Sequence, residues 1–314
     1  MEWSERIGRR IRLRDLHILL AVVQCKSMAK AAEHLAISKP VVSKVIADLE
    51  HVLGVRLLER DRHGAEPTIY GAALLKRGIT VFDELREGVK DIEFLTDPAA
   101  GEVRIGSNPF LAASFVSAVV DRLSRRYPRI VIHLMAEQVE TLHHHLHERN
   151  VDLLITRRWG PIVDERLSFE FLFDDSFVVA AGAQSPWARR RRIELAELVS
   201  ESWTLPSPEG EIGSVAVEAF RARGLDYPRV TLVTVHREAR MNLLATGRFL
   251  TIFPASALRF PTRHPEIKVL PVELSKVRLP IGIVTLKNRM VSPVGRLFID
   301  CAREVAKPLA NGKW

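Results

Sequence analysis

The chain has 314 residues, enough for two or three domains that each bury a hydrophobic core. Apolar residues make up 47% of it and charged residues 27%, a balance that excludes an intrinsically disordered chain. The formal net charge of +8 favours polyanionic partners, and nucleic acid comes first among them.

The sequence also indicates a compartment. It contains no run of about 18 apolar residues that would span a membrane, and no small-residue cleavage site follows the N-terminal arginines. Its two cysteines, Cys25 and Cys301, lie far apart in apolar helical patterns, so we expect reduced thiols and no disulfide. We therefore expect a cytoplasmic protein without a membrane segment.

The first 70 residues contain three helical patterns. Four apolar residues on one helical face predict the first helix: Leu16, Leu19, Leu20 and Val23. Ser27 is placed to cap a short, alanine-rich second helix. Ser38 is placed to cap a third helix, whose first turn holds Pro40.

The third helix is predicted to have two unlike faces. Its apolar face is expected to contain Val41, Val42, Val45, Ile46, Leu49, Val52 and Leu53. Lys39, Pro40, Ser43 and Lys44 share an opposing arc that is small, polar and cationic. Such an end fits the DNA major groove, where slim polar side chains contact base edges and the helix N-terminus faces phosphate.

The run from Val55 to Thr68 has two short extended pieces around a glycine-containing turn, which is typical of a β-wing. Arg60 and Arg62 on this wing are expected to lie near the DNA backbone. From periodicity alone, the alternative is a plain three-helix bundle with a solvated basic edge. The predicted DNA-binding residues are Lys30, Ser38, Lys39, Pro40, Ser43, Lys44, Arg60 and Arg62.

The run from Leu16 to Gly71 resembles the DNA-binding domain of LysR-type transcriptional regulators. The matching elements are residues 27–35 (SMAKAAEHL), 37–46 (ISKPVVSKVI) and 49–60 (LEHVLGVRLLER), followed by Thr68 and Gly71. Lys39, Lys44 and Leu58 stand where Gln, Arg and Phe are common in that family. The resemblance implies a winged helix-turn-helix, all-α apart from its wing, in residues 1–70.

Residues 71–97 are predicted to form a long linker helix that pairs two chains. Leu75, Phe82 and Val89 recur every seven residues, and Leu85 and Ile92 occupy the alternate positions of this seam. An ordinary amphipathic helix packed on its own domain is the alternative. The resemblance favours a homodimer, and because LysR-type proteins are often dimers of dimers, it leaves a homodimer and a homotetramer both open. A dimer with two DNA-binding domains predicts an interrupted inverted repeat in double-stranded DNA.

Residues 98–314 alternate short apolar runs with helical patterns, which predicts an α/β domain with open, largely parallel sheets. A second strand–helix unit is expected over residues 176–271, a strand at 279–286 returns to the first, and a final helix covers 292–305. Residues 102–305 resemble the LysR effector domain, which is similar to periplasmic solute-binding proteins. The expected architecture is therefore multidomain, ending in a two-lobed effector domain.

Open α/β sheets bind ligands at the carboxyl ends of their strands. The loops there carry hydroxyl, amide, imidazole and guanidinium groups, suited to a small polar or anionic effector. The predicted effector-binding residues are Ser107, Asn108, Gln138, Val139, Arg157, Pro206 and His236.

Other sequence features give weaker evidence of function. His143 and His147 lie one helical turn apart, but a solvated helix face is favoured over a metal site. The run Arg189–Arg192 is interpreted as solvated surface. No phosphate loop, nucleophile elbow or zinc-peptidase motif is present, so we expect neither an enzyme nor a cofactor. The alternatives are a free solute-binding protein, which has no use for residues 1–70, and a DNA-bound enzyme or co-repressor.

Overall fold

Three helices and a β-hairpin form the N-terminal part of the computed structural model, which describes residues 10–61, 64–158, 160, 164–259, 265–274 and 277–310. The chain divides into two compact units, residues 1–89 and 90–314. The N-terminal elements are α1 (Leu13–Gln24), α2 (Met28–His34), α3 (Lys39–Leu53), β1 (Leu58–Asp61), β2 (Gly64–Pro67) and the start of α4 (Ile69–Thr96).

The ends of α2 and α3 follow from local chemistry. Ser27 caps α2, and its hydroxyl oxygen accepts a hydrogen bond from the Lys30 backbone N–H at 3.4 Å. Ser38 occupies the N-cap of α3, although its side chain makes no capping hydrogen bond, and Pro40 lies in the first turn. Gly54 ends α3 in the left-handed region at φ 70°, which a residue without a Cβ adopts without strain.

The core of the first unit combines the apolar faces of α1, α2 and α3, and Ile18, Val22 and Ile46 are among its buried residues. The Glu50 carboxylate accepts hydrogen bonds from the backbone N–H groups of Leu57 and Leu58 at 2.8 and 3.2 Å. These bonds hold the strand β1 on α3. The hairpin pairs β1 and β2 antiparallel, as the wing prediction required.

Two apolar residues lie elsewhere than predicted. Val41, expected on the packed side of α3, is 37% exposed. A helix turns by about 100° per residue, and this places Val41 to one side of the buried row. Leu75, expected in the pairing seam, is buried in the core of the N-terminal unit.

The second unit contains two lobes, each built on a five-stranded sheet. The first lobe contains β3 (Ala100–Ser107), a helical turn (Pro109–Leu111), a π-helical turn (Ala112–Val116), α5 (Ser117–Arg126), β4 (Arg129–Ala136), α6 (Val139–His147), β5 (Leu153–Arg157) and β6 (Leu167–Asp175). It is completed from the far end of the chain by β12 (Leu279–Leu286) and α10 (Pro293–Ala310). The strand order is β4-β3-β5-β12-β6.

The second lobe has the strand order β11-β7-β10-β8-β9. Its elements are β7 (Phe177–Gly182), two 3-10 turns (Pro186–Arg189 and Leu195–Leu198), β8 (Trp203–Leu205), α7 (Glu211–Arg221), β9 (Val230–Val233), α8 (Arg237–Ala245), β10 (Leu250–Pro254), α9 (Ser256–Arg259) and β11 (Ile267–Val269).

Both sheets are mixed, which corrects the expectation of largely parallel sheets. In the first lobe β12 runs antiparallel to both β5 and β6, while β3 is parallel to β4 and β5. In the second lobe β7 runs antiparallel to both β10 and β11, while β8 is parallel to β9 and β10. The physical reason is connectivity, because β7 and β12 each begin where the chain enters a lobe from the other one.

The direction of these reversed strands determines where the candidate ligand site of the second unit lies. The remaining strands end on the side where the chain crosses between the lobes, so the carboxyl ends of β3, β5 and β8 lie at this crossing.

Cys25 and Cys301 are free thiols, and burial raises the pKa of the Cys301 thiol. No helix in the described ranges is long and apolar enough to cross a membrane.

Candidate nucleic-acid interface and ligand cleft

The N-terminal end of α3 presents its polar residues to solvent. Ser38, Lys39, Pro40 and Lys44 are exposed. Ser43 is half-buried, and its hydroxyl lies 3.6 Å from the Met28 sulfur. The outward side of this end is thus slim and cationic, as a helix that enters the major groove requires.

The structure describes the three neighbouring basic residues to different extents. Lys30 is exposed on α2. Arg60 lies in β1, where its backbone pairs with Ala65. Arg62 lies outside the described residues.

Val41 is a surface residue that sequence reasoning missed. It flanks the exposed Pro40 and Lys44, whereas Val42 and Ile46 are buried beneath them. An exposed aliphatic side chain at such an end is suited to the 5-methyl group of thymine. The signal was present in the helical wheel, where Val41 falls at the edge of the apolar arc.

A cleft of about 620 Å³ opens between the two lobes of the second unit. Six of the seven residues predicted to contact a ligand line it: Asn108, Gln138, Val139, Arg157, Pro206 and His236. The seventh, Ser107, lies apart from this lining. Its hydroxyl is fully buried and donates to the Ile155 carbonyl at 2.8 Å, which ties β3 to β5.

Three helices begin at the cleft wall, and their N-cap residues are Gln138 for α6, Gly210 for α7 and His236 for α8. None of the three N-caps is stabilised by a side-chain hydrogen bond. The first backbone N–H groups of a helix have no partner within the helix, and the helix dipole adds partial positive charge there. The wall therefore favours an anionic or strongly accepting ligand group.

The start of α7 at Gly210 was not among the predicted site residues. The run Pro206-Ser207-Pro208-Glu209-Gly210, followed by a helical pattern, is a start signal that would have revealed it. Gly213, within the first turn, is required there because a Cβ would lie 1.8 Å from the Ser207 carbonyl oxygen. The backbone of α7 thus packs directly on the loop that follows β8.

A buried ion pair forms the floor of the cleft. Arg157, only 6% exposed, donates from Nη2 to the Asp175 carboxylate at 3.1 Å. Asp175 belongs to the first lobe and also accepts hydrogen bonds from the Ser256 backbone N–H at 3.0 Å and hydroxyl at 2.6 Å in the second lobe. Nε of Arg157 is buried without a hydrogen-bond partner. One carboxylate thus joins the lobes beside the cleft.

The histidine-rich face of α6 interacts with neighbouring protein side chains. His147 Nε2 lies 2.8 Å from Asp164 Oδ2, and hydrogen bonds from Arg166 hold the pKa of the Asp164 carboxyl well below its usual range. Burial, with a contribution from nearby His147, lowers the pKa of His143. No cluster of three potential metal ligands occurs in the described ranges.

The Arg189–Arg192 run lies on the surface. Arg190 pairs with Glu197 at 2.9 Å, and Arg192 pairs with Glu194 at 3.2 Å. Surface pairs of this kind fit the interpretation of the run as solvated surface.

Comparison with known families covers both units. Residues 13–72 match the bacterial regulatory helix-turn-helix protein, lysR family, and residues 96–307 match the LysR substrate binding domain.

Comparison with individual proteins gives similar results. The HTH-type transcriptional regulator GbpR of Azospirillum brasilense is 27% identical over 296 residues, which covers 94% of this chain and 86% of GbpR. The regulator PcaQ of Agrobacterium fabrum is 26% identical over 309 residues, which covers 98% and 99% of the two chains.

Solved structures share the fold. A variant of full-length OxyR from Pseudomonas aeruginosa aligns with a TM-score of 0.65 at 21% identity, covering 95% of this chain and 97% of that one. CbnR, a LysR family transcriptional regulator, aligns with a TM-score of 0.56 at 20% identity, covering 93% and 100%. CbnR complexed with its target DNA aligns with a TM-score of 0.54 at 21% identity, covering 94% and 100%.

Proposed function

This chain belongs to the LysR family of DNA-binding transcriptional regulators, and we propose that it acts in the cytoplasm as a homo-oligomer whose DNA binding is controlled by a small polar or anionic effector. The observation that carries the proposal is the presence in one chain of an exposed cationic α3 end and a cleft lined by helix N-termini. Residues 1–70 bind DNA, residues 71–97 pair two chains, and residues 98–314 bind the effector.

The DNA site is an interrupted inverted repeat, because a twofold-symmetric dimer presents two equivalent readers. Ser43 and Lys44 contact bases or adjacent phosphates, with Lys39 and Pro40 beside them at the groove. Lys30, Arg60 and Arg62 contact the backbone, where they fix the register without reading sequence.

Dimerisation rests on the exposed side of α4. Leu85, Val89, Ile92 and Leu95 are between 50% and 81% exposed on this helix. Isolated exposed apolar residues are common, but four on one helical face indicate a partner surface. A second chain supplies the matching stripe, and two such dimers make the tetramer.

The effector occupies the cleft between the lobes and is not consumed. Ligand contacts come from Asn108, Gln138 and His236 in separate strand-end loops, so a bound molecule touches both lobes. Binding energy then favours one angle between the lobes, and the segment from Pro98 to Gly101 passes this bias to the linker helix.

The proposal is tested by DNA binding. We expect the protein to bind a fragment upstream of its own gene far more tightly than unrelated duplex DNA. Its affinity should fall steeply with salt, because lysine and arginine side chains displace counterions from phosphate. Equal affinity for all duplexes, or an affinity independent of salt, contradicts the proposal.

A further inference from the structure

Arg240 in α8 is a fully buried guanidinium. It donates hydrogen bonds to the Thr251 hydroxyl and the Ile252 carbonyl oxygen. Its Nη1 has no acceptor, and no carboxylate pairs with it in the described part of the chain. Burial lowers the pKa of Arg240 to about 9, which reflects the cost of a charge removed from water.

This charge lies directly behind the wall of the effector cleft. The guanidinium carbon is 4.4 Å from the centre of the Phe253 ring and 5.9 Å from the centre of the Phe110 ring. Phe110 itself lines the cleft, and α8 begins at the cleft with His236. One aromatic ring therefore separates the buried cation from the ligand space.

The other buried charges at this site cancel. Arg157 on the cleft floor is paired with Asp175, and both are buried. Arg237, whose side chain is largely buried, also lines the cleft and pairs with Glu238 at 3.6 Å. Glu140 and Glu209 line the cleft as well, but they are exposed at its rim, where water screens them. Among the described residues, Arg240 is thus a buried cation beside the cleft for which no carboxylate offsets the charge.

A lone buried charge is costly, and a nearby opposite charge offsets that cost most strongly where the surroundings are poor in water. We propose that Arg240 sets the charge of the effector, so that the cleft takes a small hydroxy acid with a single negative charge. This inference rests on the effector cleft of the proposed function. The acid group is held by the N-terminal amides of α7 and α8 within the field of Arg240.

Each end of such a ligand finds a matching group. Asn108, Gln138 and Ser207 are neutral lining residues that hydrogen-bond hydroxyl groups. Nε of Arg157, which has no partner, donates a hydrogen bond to a neutral oxygen without disturbing the pair with Asp175. A second acid group, in contrast, meets Asp175 or the rim carboxylates, while Arg157 and Arg237 are already paired with Asp175 and Glu238.

The first test compares matched ligands on the wild-type protein. Three sets share a carbon chain and differ in their acid groups: glycerol, glycerate and tartronate; threitol, threonate and tartrate; and sorbitol, gluconate and glucarate. We expect a monoacid to raise the melting temperature most in every set that binds, and to bind at least about tenfold more tightly than its polyol. A preference for a polyol or a diacid, or no stabilisation by any monoacid, overturns the inference.

The second test removes the charge. Arg240→Gln should lose about tenfold in affinity for the preferred monoacid, measured by calorimetry, and keep its affinity for the matching polyol. The control Arg248→Gln removes an exposed positive charge from the same lobe and should change neither. Equal losses for acid and polyol in Arg240→Gln, or no loss, contradict the role of Arg240. If Arg240→Gln does not fold, the wild-type comparison decides alone.

A third variant separates this inference from the proposed function. Ser207→Trp fills the cleft from an exposed lining position and should abolish binding of whichever ligand the protein prefers. If a polyol or a diacid is preferred and Ser207→Trp abolishes its binding, the effector cleft stands and the charge assignment fails. If the ligand stabilises Ser207→Trp as much as wild type, the cleft is not the binding site and both fail.

Discussion

Lys44 projects from the exposed face of α3 beside Pro40, without a salt-bridge partner in the described ranges. We expect Lys44 to read base edges or hold an adjacent phosphate, and Lys30 on α2 to touch only the backbone.

Replacing each lysine by alanine should separate these roles. Lys44→Ala should change sequence preference, with a loss of about 1–3 kcal/mol on the best site if the contact is to a base. Lys30→Ala should lower affinity for all sequences alike and reduce the salt dependence. Selection of binding sites from a random library measures both effects, and identical behaviour of the two variants contradicts the assignment.

Asp152 provides a test of stability at a single residue. Its carboxylate is buried and accepts hydrogen bonds from the Arg104 backbone N–H and from Arg289 Nη2, both at 2.8 Å. Removing Asp152 takes away the buried carboxylate that both Arg289 and Lys90 face, at 2.8 and 4.0 Å.

Asp152→Ala should therefore lower the free energy of unfolding by about 3–5 kcal/mol. The control Asp121→Ala removes an exposed partner of Arg125, a surface pair that contributes at most about 1 kcal/mol. Urea unfolding measures both variants. A similar small loss in each would mean that Asp152 is not essential to the lobe.

Individual side chains were predictable where local pattern decides their position. Lys39 and Lys44 follow from helical periodicity, and they are exposed as expected. Ser107 and Arg240 depend on tertiary packing, because strand-end position does not say whether a hydroxyl turns inward, and sequence does not say which arginine is buried without a carboxylate.

One feature of the helix α4 was predictable from the sequence and another was not. Its extent was predictable, since the proline-free run from Gly71 to Leu95 corresponds to a helix at Ile69–Thr96. The sequence did not predict which face of α4 stays exposed for a partner chain. Leu75 is buried in the first unit, and the Phe82 ring lies 5.8 Å from the ring of His17 within that unit. A heptad pattern cannot distinguish residues used by the chain's own core from those left for a partner.

The exposed remainder of α4 supports a prediction about assembly. Leu85→Asp combined with Ile92→Asp places charges on the stripe and should break the dimer, at a cost of several kcal/mol for burying them against an apolar partner. The control Lys76→Asp also adds an acidic residue to α4, at an exposed position on another side. Light scattering should report smaller particles for the double variant only. An unchanged assembly would mean that the dimer rests on the C-terminal unit.

In the second unit, the order of the strands creates the cleft that we propose as the effector site. Because β7 and β12 begin where the chain crosses between the lobes and run antiparallel to their neighbours, those neighbours end at the crossing. The repeated strand–helix pattern predicted two α/β lobes, but not which strand is reversed. That reversal depends on pairing between β12 and β5, which are distant in sequence.

In the proposed function, the ion pair at the crossing gives the effector a means of control. Asp175 is held by Arg157 from one lobe and by Ser256 from the other, next to the ligand space. A ligand that engages Arg157 acts on a contact that joins both lobes. A regulator of this kind needs differential binding to two lobe arrangements, because a ligand with equal affinity for both shifts nothing.

Control of DNA binding by the cleft is best tested by a footprint of the intact protein on the DNA upstream of its own gene, with and without a saturating concentration of the acid that most raises its melting temperature. We predict that the protein protects an interrupted inverted repeat and that the acid changes the extent of protection or the affinity. An identical footprint with identical affinity in both conditions would contradict the claim that the cleft controls DNA binding.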